Sequence, residues 1–173
     1  MAEALDPAIP EGLQRLAEEV LRSACDADLK LATAESCTGG LLASLLTDFP
    51  GLSHAFERGF VAYTHDAKAE LLNVGRDLLE RDGAVSEAAA RAMAEGAVAG
   101  SRAHIAVAIT GFTDSAPEGA DGLVHVASAQ RGGPTRHRRE QFGDVGRAEV
   151  RLAALRAALL LMREALQDRA QAA

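Results

Sequence analysis

Glu35-Ser-Cys-Thr-Gly-Gly40 places three side chains able to attack or donate, Ser36, Cys37 and Thr38, between a carboxylate and a glycine pair. A serine hydroxyl is a poor nucleophile until a base takes its proton. Five histidines could serve, His54, His65, His104, His125 and His137, but none sits in a recognisable motif. The other route is a lysine whose pKa is depressed. Lys30 and Lys68 are the two lysines in a chain that otherwise uses arginine, which draws attention to Lys68. If Lys68 faced Ser36, with Tyr63 near enough to relay or orient a proton, the pair would form a Ser–Lys dyad. If it did not, Ser36 and Thr38 would be helix caps and Lys68 a solvated helix residue. Residue types and spacing leave both readings open.

Cys37 is a second nucleophile by type, since a helix N-terminus lowers a thiol pKa. Adjacent residues on a tight turn point in different directions, however, so Cys37 is expected to be a small apolar packing residue. No Gly-Lys-Ser/Thr follows the glycine pair and no Gly-x-Gly-x-x-Gly occurs, so neither nucleotide-binding loop is present. No metal-ligand spacing appears, and the simpler reading is a metal-independent site without a cofactor.

The elements that must hold these residues can be read from periodicity. Leu31–Ala34 is apolar, Glu35–Gly40 is polar, and Leu41–Leu46 favours helix, which together read as strand, turn and helix. Such a turn offers unpaired N–H groups and a partial positive charge to a phosphate, a carboxylate or an oxyanion. Before it, Leu13, Leu16, Ala17, Val20, Leu21 and Ala24 recur at helical spacing over Glu11 to about Ala27, and Leu29–Ala34 follows as a first strand. Gly59–Tyr63 reads as a second strand, with residues 52–58 unassigned. Thr64 or Asp66 would cap a short helix over Ala67–Leu72, and Asp77–Arg81 is another short helical piece. Ser86 is a good N-cap for a helix over Glu87–Gly100. His104–Ile109 is a strand apolar on both faces. Gly111–Gly122 is a loop, Leu123–Ala127 and about Thr135–Phe142 form a hairpin, and a last helix runs from Asp144 or Gly146 to about Ala170.

Alternating helices and strands followed by a hairpin predict a three-layer α/β/α sandwich, with a mixed, mostly parallel sheet and one antiparallel strand. Ligands of open α/β sheets sit beyond the strands' C-terminal ends. Glu35–Gly40, Tyr63–Lys68 and Thr110-Gly111 are all placed there.

The length of 173 residues suits a single domain over 1–173, with residues 1–10 as a loose lead-in. One Tyr, five Phe and no Trp mean that Ala, Leu and Val must build the core. A net charge of −7 argues against a general nucleic-acid or anionic-membrane binder, and the basic run Arg136–Arg139 reads as a solvated edge. Cys25 and Cys37 make neither a disulfide framework nor a zinc site. The first residues have no signal-peptide pattern, and Leu152–Met162 is too short and too interrupted to span a bilayer, so a cytoplasmic location is expected.

Thr33–Gly40, Phe56-Glu-Arg-Gly-Phe-Val-Ala-Tyr63 with Lys68, and Gly83-Ala-Val-Ser-Glu87 together closely resemble the C-terminal domain of CinA, the competence- or damage-inducible proteins. The resemblance covers about residues 11–168. It implies an amidohydrolase that deamidates nicotinamide mononucleotide to nicotinic acid mononucleotide and ammonia without a metal. Ser36 would be the nucleophile, activated by Lys68 and Tyr63. Glu35, Thr38, Gly39, Gly40, Ser86, Thr110 and Gly111 would line the substrate, with N–H groups around Thr38–Gly40 binding the oxyanion. The partners so implied are a small nucleotide and further copies of the chain, a dimer; from the acidic charge, no membrane and no nucleic acid are expected. The larger family members also carry a pyrophosphatase-like domain that this sequence does not show.

One segment departs from the family pattern. The family usually has Gly-x-Ala-Gly-Pro-x-Gly-Gly after the strand ending at Thr110, and Lys-Pro-x-Gly before the next. Here Gly111, Pro117 and Gly122 remain in rough register, and Asp114, Glu118 and Asp121 are added. Added acids should disfavour a phosphate. A ligand-binding or adaptor module of the same fold, or a hydrolase of a less anionic amide, are therefore the alternatives.

Overall fold

The computed structural model describes residues 9–114 and 116–172, the last by its backbone alone. The expectations for residues 1–8, lead-in and lack of a signal peptide, lie outside the described residues. The elements are α1 (Glu11–Asp26), β1 (Leu31–Glu35), α2 (Leu41–Leu46), β2 (Phe56–Val61), α3 (His65–Leu72), α4 (Arg76–Asp82), α5 (Glu87–Ala99), β3 (Ile105–Gly111), β4 (Leu123–Gln130), β5 (Thr135–Gln141) and α6 (Arg147–Ala172). A 3-10 turn over Ser53–Ala55 leads into β2, the stretch that periodicity left unassigned.

The sheet runs in the order β2-β1-β3-β4-β5. β1 pairs in parallel with both β2 and β3, while β4 pairs antiparallel with β3 and β5. Four strands thus share one direction and β4 opposes them, the mixed sheet with one antiparallel strand that the element pattern predicts. Helices cover both faces.

Side-chain alternation divides the core in two. Leu31, Ile105, Val107, Ile109, Val124 and Val126 face α1, α2 and α6 in a Leu-rich layer. Ala32, Ala34, Ala106, Ala108, Ala127 and Ala129 face α3, α4 and α5, where alanines meet alanines. The small side chains bring backbones close together: a Cβ on Gly96 of α5 would stand 1.9 Å from the Leu72 carbonyl oxygen. This face carries the site, because residues 36, 110 and 125 continue its alternation at the strand ends.

Candidate active site

The turn after β1 is built by Glu35. Its side chain is fully buried and accepts hydrogen bonds from Thr38 Oγ1 at 2.7 Å and from the N–H groups of Gly40, Leu42 and Ala43 at 3.2, 3.0 and 2.8 Å. A carboxylate at a helix N-terminus satisfies orphan donors and complements the helix dipole. Glu35 therefore holds α2 in place rather than lying open to a ligand, which is a different place from the substrate-lining one expected for it. Gly39 and Gly40 take φ of +60° and +96°, a region that glycine enters without strain. Their N–H groups are used internally, Gly39 on the Ser36 carbonyl at 3.1 Å and Gly40 on Glu35. Thr38 is buried, with its hydroxyl on Glu35 and its carbonyl accepting from Arg151 Nη2 at 2.8 Å. Within this turn, the N–H groups of Cys37 and Thr38 have no acceptor among the described residues.

Ser36 is anchored by its own N–H, which donates to the Ile109 carbonyl on β3 at 3.0 Å. Its hydroxyl meets Lys68. Thr64 caps α3 by accepting from Ala67 N–H, and this sets Lys68 on the first turn, pointing back toward the sheet edge. Lys68 is 1% exposed, with Nζ 2.9 Å from Ser36 Oγ, 2.9 Å from the Ala62 carbonyl and 3.0 Å from the Tyr63 carbonyl. No carboxylate pairs with it among the described residues. Burial holds its pKa below the ordinary lysine value, against a smaller upward pull from Cys37. The same burial pushes the Cys37 thiol up to about 11, so it stays protonated and packs into the core.

The remaining sequence-predicted residues fall into two groups. Tyr63 reaches Lys68 through its carbonyl, while its side chain is 66% exposed and its hydroxyl interacts with Arg147. Thr110 is level with Ser36 and buried, its hydroxyl donating to the Ala84 carbonyl at 2.7 Å. Gly111 closes β3 where a Cβ would stand 2.7 Å from Val124 Cγ2. Ser86 accepts from Ala89 N–H and donates to the Gly83 carbonyl, so it serves as the N-cap of α5.

Two arginines join the site that motif reading did not pick out. Arg147 starts α6 and bonds Asp114 at 2.6 Å, which raises its pKa, with a smaller rise from Tyr63. Arg151, one turn later on the same face of α6, reaches over Gly39 to the Thr38 carbonyl, and its Nε is buried without a partner. Their separation of four residues, which stacks side chains on one helix face, was the available signal. Asp114, expected to repel a phosphate, is neutralised by Arg147. Among the described residues no three His, Cys, Asp or Glu side chains group as a metal site.

A buried Ser–Lys pair at the C-terminal edge of a mixed α/β sheet, beside a glutamate-capped helix, defines the class. The family description "CinA C-terminal domain" matches residues 13–166, and the chain belongs to that family. A CinA-like protein of Akkermansia muciniphila is 53% identical over 112 residues, 63% of this chain and 27% of that protein. A CinA-like protein of Anaeromyxobacter is 47% identical over 141 residues, 80% of this chain and 34% of that one. The chain thus spans roughly a quarter to a third of these curated relatives' length. Among solved structures, the competence/damage inducible protein CihA from Agrobacterium tumefaciens superposes with a TM-score of 0.87 at 44% identity, covering 92% of this chain and 98% of that one. A CinA superfamily protein from Escherichia coli gives 0.82 at 32% identity, with 94% of each chain covered.

Proposed function

We propose that the chain hydrolyses the carboxamide of nicotinamide mononucleotide, releasing nicotinic acid mononucleotide and ammonia. The observation that carries this reading is the environment of Lys68. An ammonium at that position has three acceptors, Ser36 Oγ and two carbonyls. Once neutral, its two remaining protons stay on the carbonyls and its lone pair accepts the Ser36 hydroxyl proton. That is the arrangement a general base needs. Burial without a carboxylate favours the neutral form.

The reaction follows from that geometry. Ser36 Oγ forms a bond to the carboxamide carbon as its proton passes to Lys68 Nζ. The carbonyl oxygen, now negative, is held by the free N–H groups of Cys37 and Thr38 at the positive end of the α2 turn. Collapse breaks the C–N bond, and Lys68 returns the proton to the departing nitrogen, which leaves as ammonia. A water, deprotonated by the again-neutral Lys68, then opens the ester. Arg151, whose Nε is buried without a partner beside the turn, supplies a cation for an anionic substrate, which supports a nucleotide over a less anionic amide.

The test is ammonia release from nicotinamide mononucleotide, nicotinamide riboside and free nicotinamide. Wild type should act on the mononucleotide best, and Ser36→Ala and Lys68→Ala should each lower the rate by at least about 1000-fold. Equal rates on riboside and mononucleotide would favour the less anionic amide. No release from any of the three between about pH 6 and 9 would favour the binding module.

A further inference from the structure

Two strands away from Ser36, the same face of the sheet carries a polar string that the Ser–Lys pair does not use. Ser36 follows Glu35, which is level with Ile109, so Ser36 is level with Thr110, and Thr110 stands directly opposite His125 on β4. Adjacent strands lie about 4.8 Å apart, which puts the backbone of His125 about 10 Å from that of Ser36. His125 Nδ1 is 2.9 Å from His137 Nε2, with the ring planes within 19° of each other and the centroids 5.1 Å apart, edge to edge. His137 Nδ1 is 3.4 Å from Glu87 Oε2, at the N-terminus of α5. Both histidines are largely buried.

The carboxylate fixes the protons along this string. Glu87 Oε2, 3.4 Å away, is not hydrogen-bonded to His137, but its negative charge favours an Nδ1–H over a lone pair on the nitrogen that faces it, leaving Nε2 as the acceptor. His125 Nδ1 then has to donate, and its Nε2 carries a bare lone pair. The opposite tautomers would set the His137 Nδ1 lone pair against the carboxylate. Burial lowers the pKa of both rings. His137 and Arg139 lower that of His125 further and Arg91 lowers that of His137, while Glu87 raises both, and the direction for each remains downward. Both rings are therefore neutral at pH 7 while Glu87 is ionised. Nε2 of His125 has no hydrogen-bond partner among the described residues and is not completely sealed from solvent.

We propose that His125 Nε2 is a specificity-determining acceptor for a ribose hydroxyl of the substrate, held in that tautomer by His137 and Glu87. The proposal rests on the substrate being a pyridine nucleotide. An acceptor needs a donor. In that molecule the pyridinium ring has none and the phosphate accepts, and the carboxamide NH2 is occupied at Ser36. The two ribose hydroxyls remain. A pyridine ring and its glycosidic bond bridge the gap between Ser36 and His125 once the two side chains are allowed for.

Side-chain 15N NMR of the histidines tests this without turnover. In the free protein, His125 and His137 should both be Nδ1–H tautomers. Nicotinamide mononucleotide added to Ser36→Ala should shift His125 Nε2, and its 2′,3′-dideoxyribose analogue should not. In kinetics, His125→Ala should raise KM for the nucleotide about fivefold with kcat within about twofold, the size of one neutral hydrogen bond. It should leave KM for the dideoxy analogue unchanged, and His125→Gln, which keeps an acceptor, should recover part of the loss. An Nε2–H tautomer, equal penalties on both substrates, or no Nε2 shift on binding would overturn the proposal. If wild type shows the Nε2 shift but releases no ammonia, the amidase reading fails and the hydroxyl contact stands. If it releases ammonia without the shift, the reverse holds.

Discussion

Lys68 governs the pH behaviour, and the direction follows from its burial. Its folded-state pKa lies below that of the unfolded chain. Above the ordinary lysine value, about 10.4, both states are neutral. As pH falls from there, the unfolded chain takes up a proton that the folded one resists, so folding is progressively disfavoured until the folded pKa is reached, and the effect then levels off. The stability of wild type relative to Lys68→Met should accordingly fall as pH is lowered from about 10.5 toward neutrality, as read by urea unfolding at a series of pH values. In the proposed mechanism ammonia release needs the neutral amine, so its rate should rise with pH along a limb whose midpoint lies below the free-lysine value. A stability difference flat across this range would show that Lys68 titrates normally. In the sequence, the scarcity of lysine and the position of Ser36 before a glycine pair raised the pairing only as one of two open readings, and the resemblance to the CinA family supplied the residue roles. The manner of its activation was not legible. Lys68 bonds the main-chain carbonyls of residues 62 and 63, and a carbonyl leaves no trace in residue identity.

Among the elements, α2 depends on one carboxylate. It has only six residues, too few to be stable alone, and glycine at its N-cap offers no side chain. Glu35 supplies the cap from the preceding strand instead. Glu35→Gln keeps the volume, but its amide offers a single accepting oxygen in place of four bonds to a carboxylate. Hydrogen bonds to charged groups are worth about 1.5–3 kcal/mol, so a loss of about 2–3 kcal/mol is expected in urea unfolding, with a fall in amidase rate because Ser36 and the free N–H groups sit on the same turn. A loss below about 0.5 kcal/mol would mean that α2 is held by packing alone. In the sequence, Glu35 looks like a site residue because it precedes a nucleophile. That reading missed the N–H groups five to eight residues ahead that need an acceptor. Helices with a side-chain cap, α3 and α5, were read closely, since Thr64 and Ser86 announce them. β2 begins at Phe56 rather than Gly59, because an edge strand carries half-exposed Glu57 and Arg58 and loses the alternation that marks a strand.

At the scale of the molecule, the strand order could not be read from local pattern. β1 recruits β2 and β3 on its two sides, and β3 lies more than seventy residues along the chain. What the composition did foretell is a core made mainly of alanine, leucine and valine, and the sheet sorts its side chains by face, valine and isoleucine with Leu31 toward α1, α2 and α6, alanine toward α5. The two layers should fail differently when altered. Leu155→Ala in the Leu-rich layer leaves a hole and is expected to cost about 2–5 kcal/mol. In the Ala-rich layer the damaging change is addition: Gly96→Ala drives a methyl into the Leu72 carbonyl, and overpacking of this kind costs about 1–3 kcal/mol or more. Because every strand is shared by both layers, each variant should shift one common transition rather than loosen one side. Tyr63, the only tyrosine in a chain without tryptophan, provides the check. It sits at the site between the edge strand and α3, so its fluorescence should change at the same urea concentration as the far-ultraviolet circular dichroism in wild type and in both variants. If in Gly96→Ala the fluorescence changed well before the helical signal, the α3–α5 layer would be a separate unfolding unit, and the pairing of Lys68 with Ser36 would depend on that layer alone.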